Sequence, residues 1–441
     1  MNVLRMTSEL GRVAVLASLI PAAALADGAV YAMTNAIGNN QIIVWSRAVD
    51  GTLTPQQTIA TSGGGSGTQL DPTDSLGSQS GIVLDKNHRR LFAVNTNTAA
   101  IDPVGGAGVH DCREGSISSF LVDKDGKLTL AATMSSAGLF PNSLTIHGDT
   151  LYVLNSGGPG LSPACGNAPN ITGFHASGNG ALAQIRNSTR FLNPGISPGS
   201  FLNCDPGGFP TPQFACGLNP PAFPRSPGQV AFTPSADALV VTVKATNSIY
   251  VFPLSEDDED EGGGVPGAPA IWHASGPNQP TYFGFSFDRA GRLIVSEPFG
   301  ATPVIPASPK SSVSSFSIGP NGSLTPISAS VPNGRGTSCW VAVEPLNMRY
   351  AYTANNATSD ISSYTIDRDG RLTLLAPVAG SAHNPNDMAV VTEKKVSFLY
   401  VLNAGNGTVG AFQINTDGSL AVIGSVTGLP TSAGSQGLAA Y

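Results

Sequence analysis

Apolar and polar positions alternate along most of this chain in short runs that stop at Asn or Gly. Residues 349–375, RYAYTANNATSDISSYTIDRDGRLTLL, hold three such runs. Tyr350–Thr353 alternates and stops at Asn355, Ile361–Ile366 alternates again, and Asp369-Gly370 leads into Leu372–Leu375. A period of two argues for half-buried strands. Asp-Gly between two of them is a strong hairpin signal, because its turn needs positive φ. Three strands in one meander cannot bury both faces, so the unit needs neighbours.

The chain supplies them. The same Gly turn recurs as Asp50-Gly51-Thr52-Leu53, Asp125-Gly126-Lys127-Leu128, Asn179-Gly180-Ala181-Leu182, Asn321-Gly322-Ser323-Leu324 and Asp417-Gly418-Ser419-Leu420. The turns at 321, 369 and 417 are 48 residues apart, and the gap from 179 to 321 has room for two more units. A period near 50 with four strands per unit predicts a β-propeller. Seven strands mark the units: Tyr31–Asn35, Leu91–Asn95, Leu151–Asn155, Leu239–Val243, Leu293–Glu297, Ala351–Asn355 and Leu399–Asn403. An apolar strand precedes six of them; the first lacks its own, and the tail Gln436–Tyr441 has the right pattern to supply it. The expected fold class is therefore all-β: a seven-bladed β-propeller whose C-terminal strand completes the first blade and removes the open sheet edge.

Composition narrows the setting. Charged residues make up 12% of the 441, about half the usual share, and the net charge is −7 without basic clusters. That argues against nucleic acid as a partner. Residues 1–26 read as a signal peptide: Arg5 and Arg12, then the apolar run Val13–Leu25, then Ala24-Leu25-Ala26 as a cleavage site. No other stretch reaches membrane-spanning length. The expectation is an exported, soluble monomer, 27–441, secreted or periplasmic. A Pro-, Gly- and Cys-rich insertion within 156–227 is long enough to fold over one face of the ring. Cys204–Cys216 and Cys112–Cys165 are plausible bridges among other pairings, and Cys339 reads as a buried thiol outside any disulfide. Five sequons, at Asn170, Asn187, Asn321, Asn356 and Asn406, suggest a glycoprotein. The acidic run Glu256–Glu261 reads as a solvated loop.

The repeat resembles the seven-bladed lactonase family, which includes propeller-type 6-phosphogluconolactonases and fungal carboxymuconate cyclases. The stretch Asn403-Ala404-Gly405-Asn406-Gly407-Thr408-Val409, then Phe412 and Asp417-Gly418-Ser419-Leu420, carries the likeness, with Gly336-Thr337-Ser338-Cys339-Trp340-Val341-Ala342-Val343. The resemblance implies a site at one mouth of the central channel and hydrolase or isomerase chemistry on a small lactone. The chain departs from the family's His, Arg and Glu positions. It has Pro141-Asn142-Ser143, Gly228-Gln229, Val243-Lys244 and Pro385-Asn386-Asp387 there.

Two residues break the repeat's own rule that the second strand ends in Asn. Blade 4 ends in Val243 followed by Lys244, and blade 5 ends in Glu297. Equivalent loop capping is one reading of Glu297. The other makes Glu297 a base and Lys244 an electrophile for a lactone carbonyl, paired across neighbouring blades. Polar residues entering the inner strands, Gln79, Asn142, Gln229, Asn386 and Asp387, form the candidate substrate-binding set. They suit a neutral lactone or a sugar-like ligand, or else they satisfy inner-strand backbone. No metal-ligand spacing, nucleophile elbow or phosphate loop occurs, so neither metal nor cofactor is expected. Two functions follow: a lactonase- or cyclase-like catalyst at the channel mouth, or a non-catalytic binding or scaffold propeller.

Overall fold

The computed structural model describes residues 26–68, 74–85, 87, 89–97, 114–157, 169–192, 226–255, 264–273, 281–298 and 311–441. The signal segment, most of the insertion, the acidic run, His88, His110, Cys112, Cys165, Cys204 and Cys216 lie outside the described residues. Seven antiparallel sheets form a ring, six of four strands and one of five. In blades 2 to 7 the strands run outward in sequence order, so each hairpin there is local and each of these blades is a meander. Among the described residues the one helical turn is a 3-10 turn at Lys244–Thr246.

Blade 1 is built from both ends of the described chain. The strand Leu438–Ala440 lies inside Ala26–Met33, with Val30 opposite Ala440 and Ala32 opposite Leu438. The expected closing strand is present.

Burial follows radial position. The second strands are sandwiched on both faces, so Arg90–Asn95 and Ala238–Val243 are buried along their whole length. The outermost strands have one wet face, and Leu372–Ser381 alternates between buried or half-buried and exposed positions. Wedges of apolar side chains fill the seams between blades. Val240 and Val251 of blade 4 pack with Phe285, Val295 and Phe316 of blade 5. Tyr152 and Leu154 of blade 3 pack with Val230, Val241 and Phe252 of blade 4.

The repeated Gly turns also join blades. Gly418 has φ +83°, and an added Cβ would lie 2.4 Å from Cδ1 of Tyr350 in blade 6. Only Gly meets both demands. A tyrosine in one blade then donates to a carbonyl in the turn region of the next. Tyr31 bonds Gly126 O at 2.8 Å, Tyr352 bonds Gly418 O at 2.9 Å and Tyr400 bonds Gly51 O at 3.0 Å. Tyr152 reaches Gly264 O at 2.7 Å in the same manner. Burial pushes these phenols well above the usual tyrosine range, so they stay protonated donors. Tyr352→Phe leaves a buried carbonyl without its donor. It is expected to cost about 1–3 kcal/mol in denaturant unfolding with little change in the folded-state spectrum. An unchanged midpoint would show that the bond adds nothing at this seam.

At the channel end, the inner strands start with a bulge. The register slips between Pro141 and Ser143, between Pro227 and Gln229, between Ser338 and Trp340, and between Pro385 and Asp387. The extra residues are Asn142, Gly228, Cys339 and Asn386. A bulge bends its strand and re-aims the side chains beside it. Four blades therefore present altered side-chain directions at one level of the channel.

Candidate functional site at the channel mouth

The segment Asp74–Gln79 decides what this mouth is. It belongs to the connector 61–81 between the outermost strand of blade 1 and the innermost strand of blade 2. All six residues are buried. Their partners come from around the ring. Leu76 N donates to Gln436 Oε1 at 2.7 Å, and Gln436 Nε2 donates to Asp74 Oδ1 at 2.7 Å and to Ser78 O at 2.6 Å. Ser78 Oγ donates to Asn142 O at 2.6 Å, in blade 3. Gln79 N donates to Gly228 O at 3.0 Å, in blade 4. Gln79 Nε2 donates to Val341 O at 2.9 Å and Val341 N returns a bond to Gln79 Oε1 at 3.1 Å, in blade 6. A hexapeptide that touches blades 1, 3, 4 and 6 has to lie across the channel axis. Leu76 anchors it in the apolar core with Phe283, Cys339 and Trp340.

The candidate residues of the mouth are engaged with this crossing segment or with each other's strands. Lys244 Nζ donates to Gly77 O and lies 4.5 Å from the centroid of the Phe283 ring. A desolvated ammonium over an aromatic face gains about 2 kcal/mol or more. Asn142 Nδ2 donates to Leu76 O at 3.3 Å and Pro227 O at 2.9 Å. Gln229 accepts from Phe285 N at 2.6 Å and donates to Ser80 Oγ at 3.3 Å. Asn386 Oδ1 accepts from Asn356 Nδ2 at 2.7 Å. Asp387 accepts from Met388 N at 2.8 Å and from Leu438 N of the closing strand at 3.1 Å. Burial pushes its carboxyl up to about 8, with the Asp74 charge adding to the effect.

Glu297 stands elsewhere. It is fully buried, and its carboxylate accepts from Ser312 Oγ and Ser314 Oγ on the third strand of its own blade. Burial raises its pKa; the serine hydroxyls pull the other way. Asn95 meets the same pair of positions in blade 2, donating Nδ2 to Ser116 Oγ at 3.2 Å and Ser118 Oγ at 2.8 Å. The hydroxyls turn round, and the slot takes Glu in place of Asn. The expected pairing of Lys244 with Glu297 does not form. Val243, not Lys244, occupies the slot equivalent to Glu297. Lys244 is one residue further along, at the start of the 3-10 turn, and faces the axis instead.

No family model matches the sequence, and no curated protein matches it. Solved structures do. A candidate 6-phosphogluconolactonase from Bacteroides fragilis aligns over 94% of this chain and 98% of its own, at 15% identity and TM-score 0.62. The periplasmic gluconolactonase of Pseudomonas aeruginosa aligns over 92% and 97%, at 16% identity and TM-score 0.62. A protein from Lactobacillus plantarum aligns over 94% and 99%, at 14% identity and TM-score 0.62.

The chain has the lactonase-type propeller fold.

Several sequence expectations can be placed on this lactonase-type propeller. Cys339 is fully buried. Among the sequons, Asn187, Asn321 and Asn406 are exposed, whereas Asn170 and Asn356 are buried. What the sequence did not reveal was the crossing segment. Its one signal is Leu76, an isolated apolar residue in Gly- and Ser-rich sequence, within a connector longer than a turn requires. Between blades 1 and 2, on the same face, lies a cleft of about 510 Å³ lined by Gly38, Asn39, Gly63, Gly64, Asn97 and Glu114, among others.

Proposed function

We propose that this protein is an exported, non-catalytic lactonase-type propeller that binds a small neutral lactone or sugar-like compound on its mouth face. The observation that carries this reading is the use of Asn142 and Lys244 by the chain's own Asp74–Gln79 segment, to which Gln79 itself belongs. A lactone carbonyl would have to compete with bonds already made inside a buried network. Glu297, the acid expected as the base, is held by two hydroxyls within its own blade. The cleft between blades 1 and 2 is the better seat. Its Asn side chains, glycine backbone and single Glu offer hydrogen bonds to hydroxyl groups and no cation for an acidic substrate.

A second reading is supported by the fold likeness to a gluconolactonase. Withdrawal of the crossing segment would bare Lys244 and Asn142 toward the axis, and a lactone could take its place. A panel of aldonolactones followed by proton release separates the two. The expected result is no release above the spontaneous rate, with binding of at least one lactone or its open acid by calorimetry. Turnover that Lys244→Met or Glu297→Gln abolishes would replace the binding reading with the catalytic one.

A further inference from the structure

The face opposite the mouth carries a second constellation. Two turns in adjacent blades share the sequence Asp-Arg-x-Gly-Arg. One is Asp288–Arg292, joining the first two strands of blade 5; the other is Asp367–Arg371, joining the last two strands of blade 6. Antiparallel meanders put both kinds of turn on the face away from the connector 61–81. In each, the Asp side chain ties down two amides. Asp288 Oδ1 accepts from Ala290 N and Arg292 N at 2.9 Å, and Asp367 Oδ1 accepts from Asp369 N and Arg371 N at 2.8 Å. Gly291 and Gly370 follow at φ +76° and +85°.

The arginine at the second position is not needed to make this turn. Val49, Lys124, Gly178, Pro320 and Thr416 hold that position in the matching turns, each with the same pair of backbone bonds. The two arginine-bearing turns are also fastened to each other. Arg292 Nε donates to Asp288 Oδ2 at 2.6 Å and its Nη1 donates to Arg368 O at 2.9 Å. With Arg349 from the adjoining turn of blade 6, they enclose a cleft of about 590 Å³.

Charge in this cleft is unbalanced. Four guanidiniums line it, from Arg289, Arg292, Arg349 and Arg368, against the carboxylates of Asp288 and Asp367. Both carboxylates are already taken up by turn amides, which hold Asp367 below the usual carboxylate range. Arg289, Arg349 and Arg368 are exposed, and their guanidiniums have no hydrogen-bond or ion-pair partner among the described residues. An excess of positive charge sits in one cleft of a chain whose net charge is −7. Guanidiniums gathered without acceptors repel one another, and a bound anion relieves that. Their planar forks match tetrahedral oxyanions two bonds at a time. The volume is in the range of small-molecule sites, which run from roughly 300 to 1,000 Å³.

We propose that this cleft between blades 5 and 6 binds a small multivalent oxyanion, the phosphate or sulfate ester of a soluble compound. Anion binding there would coexist with either outcome of the lactone assay, because the two sites lie on opposite faces.

The test is calorimetric titration of the full chain with inorganic pyrophosphate and with sulfate, at constant ionic strength set by chloride. Binding of one or both is expected, weakened at least tenfold in the triple variant Arg289→Gln, Arg349→Gln, Arg368→Gln. That variant should melt at the wild-type temperature when no anion is present, since none of the three side chains holds the fold together. Preference for pyrophosphate marks a phosphate ester as the ligand class, and preference for sulfate marks a sulfate ester. Equal binding by wild type and variant, or heats no larger than those of added chloride, would overturn the proposal.

Discussion

Removing Leu438–Tyr441 is expected to abolish the cooperative thermal transition of the whole ring. The last four residues do several jobs at once. They pair with Val30, Tyr31 and Ala32, and Tyr441 exchanges backbone bonds with Ala29 at 3.1 and 3.0 Å. Arg47, 1% exposed, donates Nε to Tyr441 O at 2.9 Å, so truncation removes one partner of a buried guanidinium that also reaches Asp27 O and Glu393. Leu438 N is one of two amides on the buried Asp387 carboxyl. Leaving a buried polar group short of a hydrogen-bond partner costs about 1–3 kcal/mol, more for a charged one. Losing the edge pairing and apolar burial with it brings the total to the scale of a domain's whole stability, about 5–15 kcal/mol. Circular dichroism on heating reads this directly. A truncated chain that melts cooperatively within about 2 °C of the intact one would refute the closing role of this strand. Leu438→Asp is the milder form, expected to lower the midpoint without removing the transition.

Stability is also expected to fall as pH rises from about 5 to 8. Asp387 is pushed up to about 8 in the folded chain by burial. An unfolded aspartate ionises near about 3.9. Below that both states hold the proton, and folding is unaffected. Between the two values the folded state keeps a proton that the unfolded state releases. Each pH unit in this window then costs about 1.4 kcal/mol, several kcal/mol in all by pH 8. Glu297, raised by the same cause, acts in the same direction. The carboxyls held low, such as Asp50 and Asp417, titrate below the window and leave the slope alone. Urea unfolding at pH 5, 6, 7 and 8 measures the slope. Asp387→Asn should flatten most of it while being less stable than wild type at pH 5, because one of the two amides then meets an N–H in place of an oxygen. A slope unchanged in that variant would move its origin to other groups.

The ring was legible in the sequence because its signals are local. An Asp-Gly turn needs positive φ wherever it occurs, and the turns at 50, 125, 369 and 417 all close hairpins. The closing strand could be inferred because one blade was short of a strand and the tail had the right pattern. The channel was not legible, because what fills it depends on contacts across the ring. Leu76 shares one apolar core with Trp340 and Phe283, from blades far away in sequence, and is the one local sign within residues 74–79 of that burial. The exchange of Asn for Glu297 stands out in a sequence comparison of blades. In space the same two hydroxyl positions serve both, donating to a carboxylate or accepting from an amide. The Lys244–Glu297 pairing failed on a single-residue offset: Val243 fills the slot, so Lys244 emerges a step later and in another direction. The four bulges had the same kind of invisibility. One inserted residue per inner strand changes which side chains point at the axis, without changing the alternation enough to be read.

The shared first blade also sets the order in which this protein can fold. Hairpins within a blade close over short loops and can form as soon as their residues are available. The pairing of Ala32 with Leu438 joins residues separated by almost the entire described chain, and loop-closure entropy is highest there. Until it forms, Ala26–Met33 presents an unpaired inner edge, open to pairing with another chain. Refolding is therefore expected to slow in its final phase, and aggregation to compete at that phase rather than earlier.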